Sequence, residues 1–134
     1  TTYSWLALLA PERMAEAMQG WANAFREGGW TVEWADPGYG GGMTGTMSDV
    51  SFSEAIVKLP HCGSADAAAK GYCVNASLLY SASRKNAFTP PPQLGGHGRV
   101  CLREYIALGY IPSNCSDAVV SRSMNYWHSD YALG

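Results

Sequence analysis

The chain has 134 residues, of which 47% are hydrophobic, 12% aromatic and only 15% charged, and its formal net charge is −2. That balance is enough for one buried core, and it excludes a disordered tail, a basic nucleic-acid binder and an acidic solvating segment. No stretch approaches the roughly 18 consecutive apolar residues of a membrane-spanning helix, so neither nucleic acid nor a bilayer is an expected partner.

Hydrophobic spacing is helical almost throughout and predicts about five helices in antiparallel pairs, an all-α fold. The apolar run from Trp5 to Ala10 reads as the end of a buried helix. The next helix carries Met14, Met18, Trp21 and Phe25 on one face. Pro11 and Glu12 suit its first turn, and Gly28-Gly29 ends it. A second helix spans about Met47 to Leu59 and is closed by Pro60. Ser51 to Glu54 has capping-box spacing, and a start nearer Thr46 or Ser48 fits equally well. A third, longer helix is predicted from Ser64 to about Asn86, with Ala69, Tyr72, Cys73, Ala76, Leu79, Tyr80 and Ser83 along one stripe. Gly71 inside it costs about 1 kcal/mol relative to Ala, which suggests a close packing partner. The fourth runs from about Arg99 to Leu108, before Gly109 and Pro112. The fifth follows Ser116-Asp117 and aligns Val120, Met124, Trp127 and Tyr131.

Two loops interrupt this pattern, at about 34–46 with five glycines and at 88–98 with Pro90 to Pro92. Neither has the spacing of a phosphate cradle. The helical pattern is still running at Gly134, and the charge content is low for a whole small domain. Residues 1–134 are therefore expected to form a single segment of a larger body.

Cys62, Cys73, Cys101 and Cys115 form no C-x-x-C pair, which gives a zinc site little support. Three disulfide pairings are open. The sequence-local one, Cys62–Cys73 with Cys101–Cys115, would staple each loop to a neighbouring helix, and four buried thiols are the alternative. Sequons at Asn75 and Asn114 make these two asparagines candidate glycosylation sites and favour a secreted or cell-surface protein.

Several segments, read in order, resemble glycoside hydrolase family 92, the calcium-dependent α-mannosidases. Leu8 to Arg13 is similar to L-[LI]-Q-P-E-R, and Gly28 to Trp34 is similar to G-G-W-L-P-x-W. Gly42 through Lys58 resembles C-M-[IV]-G-D-H-A followed by A-D-A-Y-x-K. Leu102 to Pro112 resembles the segment ending E-Y-x-x-L-G-Y-[VI]-P, and Ser121 to Tyr126 resembles S-[RK]-T-L-E-Y leading into A-Y-D-D-[WY]. The likeness covers nearly the whole chain and implies part of an (α/α)6 barrel.

The departures fall on polar and acidic positions of that pattern. Thr46 and Met47 stand where it has D-H, Asn125 and Ser129 replace acids, His128 replaces a tyrosine, and Asp130 alone keeps its carboxylate. The T-E-G-N and G-Q-M-S segments that hold the family's acid and base are absent, so no catalytic and no metal-ligating residue is assigned to this chain. A glycosidase needs two carboxylates across the bond, and calcium needs about six to eight oxygens. Calcium is expected only if a complete barrel is active. The candidate ligand-binding residues are Trp30 and Trp34, whose indoles would stack on a sugar or else cap the core, together with His128 and Asp130. His97, between glycines in a loop expected to be exposed, is a candidate proton donor with no carboxylate near it in sequence, and Arg103 with Glu104 reads as a structural pair or as solvated residues.

These features predict a non-catalytic mannosidase-like segment that is structural or binds mannose-containing glycans in an extracellular assembly. Its partners would be the remainder of its own barrel or neighbouring subunits. The alternative is part of an active, inverting exo-α-mannosidase whose acid and base lie outside these residues.

Overall fold

The computed structural model describes residues 2–35, 38–40, 43–92 and 96–134. Among them are seven helices rather than five: α1 (Thr2–Leu9), α2 (Pro11–Gly28), α3 (Ser48–Lys58), α4 (Ala65–Lys70), α5 (Ala76–Phe88), α6 (Leu102–Leu108) and α7 (Val119–Leu133). The glycine-rich loop also holds a minimal antiparallel hairpin, β1 (Trp34–Ala35) against β2 (Tyr39–Gly40). No described helix is long and apolar enough to cross a membrane.

Helix α3 lies at the centre, packed on α1, α2, α5 and α7. The stripe Met14, Met18 and Ala22 of α2 meets Phe52 and Ala55 of α3 and Leu79 and Ala82 of α5, with Val74 and Leu59 closing the cluster. Pro11 starts α2, and Gly29, at φ 80°, ends it in the left-handed conformation that glycine adopts without strain. A second cluster joins Leu102 and Tyr105 of α6 to Ile111 and to Tyr126 of α7.

Four predicted elements come out differently. The long third helix is two helices, because Gly71 takes φ 76° and caps α4. No atom lies within 4 Å of where a Gly71 Cβ would sit, so its backbone angle, and not a packing partner, calls for glycine. The segment then runs alongside Pro60–Cys62, with Cys62 N–H donating to the Val74 carbonyl and Val74 N–H to that of Pro60. Asn75 is consequently not inside a helix but caps α5, its side-chain oxygen accepting from Leu78 N–H at 3.0 Å. The fourth helix begins at Leu102, which leaves Arg99 in the preceding loop.

Helix α7 is turned over. The aligned Val120, Met124, Trp127 and Tyr131 are 72%, 59%, 52% and 88% exposed, while Ser123, Tyr126 and Ser129 face inward. Small serines let α7 come close, and each buried hydroxyl is used: Ser123 donates to the Val119 carbonyl and accepts from Ile111 N–H, and Tyr126 donates to the Val100 carbonyl. Helix α1 likewise has no fully buried residue, with Trp5, Leu8 and Leu9 exposed. The cysteines form the two sequence-local disulfides, Cys62–Cys73 and Cys101–Cys115.

Candidate functional site

A polar network, buried at Arg99 and Asp49 and open to a cleft at Asp130, lies between α3, α5, α7 and the loop before α6. Arg99 and Asp49 are both fully buried. The Arg99 guanidinium reaches Asp130 Oδ1 with Nη1 at 2.5 Å, Asp49 Oδ2 with Nη2 at 3.3 Å and Thr46 Oγ1 with Nε at 3.2 Å. It also lies 5.1 Å from the centre of the Tyr126 ring. Thr46 donates to Asp49 Oδ2 at 2.6 Å, and Asn86 donates to Asp49 Oδ1 at 2.8 Å. Asn86 and Thr31 extend the chain of bonds through α5, and Tyr105 donates to Asp130 Oδ2 at 2.6 Å.

This arrangement follows from the cost of burying charge. A guanidinium and a carboxylate can be removed from water only when nearly every donor and acceptor is answered. Burial pushes the Asp49 carboxyl above its ordinary value, and the Thr46, Asn86 and Arg99 bonds pull it back only in part. Burial and the Asp130 carboxylate raise the Tyr105 phenol, and burial raises that of Tyr126 to about 12.

The four candidate ligand-binding residues are not gathered into one site. Trp30 is buried, with the Lys85 ammonium 4.5 Å from its ring centre and Gly98 so close that a Cβ there would lie 2.7 Å from the indole. Its faces are thus out of a ligand's reach. Trp34 stays 53% exposed on β1, and His128 is exposed on α7. Asp130 is committed to Arg99 and Tyr105, and a cleft of 590 Å³ between α5, α6 and α7 takes it alone of the four. His97 is half-buried, stacked at 4.3 Å on Tyr39, and Arg103 and Glu104 are exposed.

Sequence reasoning gave no role to Asp49, Asn86 or Glu33. Asp49 reads as an ordinary first-turn acid, and only its pairing with a residue 50 positions away reveals it. Glu33 is half-buried beside a cavity, and desolvation raises its carboxyl to about 7. A carboxyl raised above its unfolded value costs stability as pH climbs from about 4.5 to 7, with the cost constant above that. Glu33→Gln is therefore expected to stabilise the protein at pH 8 by roughly 1 kcal/mol, allowing for solvent contact, and to change little at pH 4. Urea unfolding at the two pH values measures the difference.

A model of the glycosyl hydrolase family 92 catalytic domain matches residues 1–134. The chain belongs to that family. No curated relative matches it. The seven helices fit as part of the (α/α)6 barrel on which family 92 catalytic domains are built.

The family 92 pattern gives the network its meaning. Each of the three positions compared above with acids of the family 92 pattern is hydrogen-bonded into the fold. Thr46 holds Asp49, Ser129 donates to the Thr46 carbonyl at 3.4 Å, and Asn125 donates to the Thr44 carbonyl and hydroxyl at 3.0 and 2.9 Å. Gly45, at φ +85°, packs against Asn125 so tightly that a Cβ would meet it at 2.8 Å.

The calcium associated with family 92 does not fit the described residues. Asp49 and Asp130 both hold the Arg99 guanidinium, which repels a second cation there, and the remaining cluster of metal-type side chains among the described residues, Cys101, Glu104 and Cys115, has both sulfurs in a disulfide. Calcium takes several oxygen ligands, most of them anionic or carbonyl.

Proposed function

We propose that this chain is a non-catalytic family 92 segment, structural or glycan-binding, within an extracellular glycoprotein assembly. The observation that carries the reading is the use made of Thr46, Asn125 and Ser129. Where the family pattern has carboxylates, neutral side chains here are hydrogen-bonded to neighbouring parts of the chain. Glycoside hydrolysis needs one carboxyl group to protonate the leaving oxygen and another to activate water, and a hydroxyl or amide side chain at these positions does neither.

The extracellular part of the proposal is supported by the two disulfides, which persist in oxidising compartments. Asn75 and Asn114 are both exposed. Asn75 uses its side-chain oxygen as a helix cap and leaves its nitrogen for a glycan. Exposed Trp34 is the surface offered to a mannose-containing glycan, and the exposed apolar stripe of α7 is offered to the remainder of a barrel or a neighbouring subunit.

The test is hydrolysis of an α-1,2-linked mannobiose by the homogeneous protein, followed by proton NMR with and without millimolar calcium. No mannose is expected in either condition. Calcium-dependent release of β-mannose would establish the alternative, a working inverting exo-α-mannosidase, and overturn the proposal.

A further inference from the structure

On the other side of Thr46 from Arg99, a cavity of 260 Å³ opens between α1, α2 and the start of α3. Its wall includes Tyr3, Trp21, Glu33, Met43, Met47 and Ser51, and among the described residues Glu33 is the only charged one lining it. Among the described residues, no hydrogen bond or ion pair reaches the Glu33 carboxylate. The cation that acts on it through space, Arg122, is bound to Asp117 at 3.2 Å.

The rest of the wall is poor in free polar groups. The Thr46 hydroxyl is donated to Asp49, and the Tyr3 hydroxyl accepts from the Trp21 N–H at 2.8 Å. What remains is one carboxylate, two serine hydroxyls, the Tyr3 O–H as a donor, aromatic surface and the thioethers of Met43 and Met47. A polyol would leave most of its hydroxyls unanswered there, at a cost for each one desolvated. A cation with an apolar body instead pairs with the carboxylate and lays its carbons on polarisable walls.

We propose that this cavity binds a small organic ammonium ion, its charged head on the Glu33 carboxylate and its alkyl body against Trp21, Met43 and Met47. This does not depend on the glycan-binding reading, since the two concern different surfaces. Only the ionised carboxylate pairs with the head group, so binding follows Glu33 ionisation. Arg122 and Tyr126 face Glu33 from α7 and Tyr3 from α1, and burial holds the Tyr126 phenol far above the range from pH 5.5 to 8. Asp49 lies behind Thr46, and His97 pairs with Val32 through the backbone while its ring stacks on Tyr39.

The experiment is calorimetric titration of the protein with butylammonium chloride at pH 8 and pH 5.5, with 1-butanol and methyl α-mannoside as neutral probes. Saturable amine binding is expected at pH 8, roughly thirtyfold weaker at pH 5.5. It is expected to vanish in Glu33→Gln, which keeps its fold, and in Met43→Lys, which supplies an ammonium from the chain itself. Equal affinity in Glu33→Gln, pH-independent binding, or tighter binding of mannoside than of amine would overturn the proposal.

Discussion

Arg99→Met is expected to destabilise the protein by about 3–5 kcal/mol, because it leaves Asp49 buried without its counter-charge. The methionine fills much the same volume, so the loss is electrostatic and not a cavity effect. The pH dependence separates the two causes. Without Arg99 the Asp49 carboxyl is pushed still further above its unfolded value, and the native state then holds its proton more tightly than the unfolded chain does. Stability of the variant therefore falls as pH rises from the unfolded carboxylate range towards the raised native value, and levels off above it. Urea unfolding of Arg99→Met at pH 4 and pH 7 should show greater stability at the lower value. A second change, Asp49→Leu, should restore much of the loss, since the pair is then removed together. A single variant within 1 kcal/mol of the parent would mean that the network carries little of the fold's energy.

Removing the Cys101–Cys115 disulfide by the double change to serine is expected to cost about 3 kcal/mol, the entropy of a loop of this length. The bridge has a further role in positioning. Cys101 sits at φ 55°, a left-handed angle that a residue with a Cβ adopts only under constraint, and Arg99 lies two residues before it. Loss of the bridge relaxes that loop and loosens Arg99, so the effect should be smaller in an Arg99→Met background. Thermal unfolding of the four proteins forms the cycle that measures it. Unfolding midpoints unchanged by the serine substitutions would show that the disulfide is incidental.

Helices α2 and α3 were legible in the sequence because apolar spacing, an initial proline or polar start, and a terminal glycine or proline all agree there. The break between α4 and α5 was hidden because apolar spacing runs straight through Gly71, and only the left-handed angle and the Cys62–Cys73 tether reveal it. The orientation of α7 was unreadable for a related reason. Spacing identifies a stripe but not what it faces, and the buried face is built from serines and one tyrosine. The departures at 46, 125 and 129 come from the resemblance to the family pattern. Their use in the fold is not legible there, since the bonds of Asn125 and Ser129 span about 80 residues.

We propose that Thr46, Asn125 and Ser129 serve the fold where the family pattern has acids, and Thr46→Asp tests this most directly. The new carboxylate would stand where a hydroxyl now donates to Asp49 at 2.6 Å, placing another acid on the guanidinium that Asp49 and Asp130 already share. Unfolding of this variant with and without calcium, read beside its α-mannoside hydrolysis, is the measurement. A lowered unfolding midpoint, indifferent to calcium and with no mannose released, is the predicted result. An undiminished midpoint that rises further with calcium, accompanied by turnover, would contradict the account and return the position to the chemistry of its family.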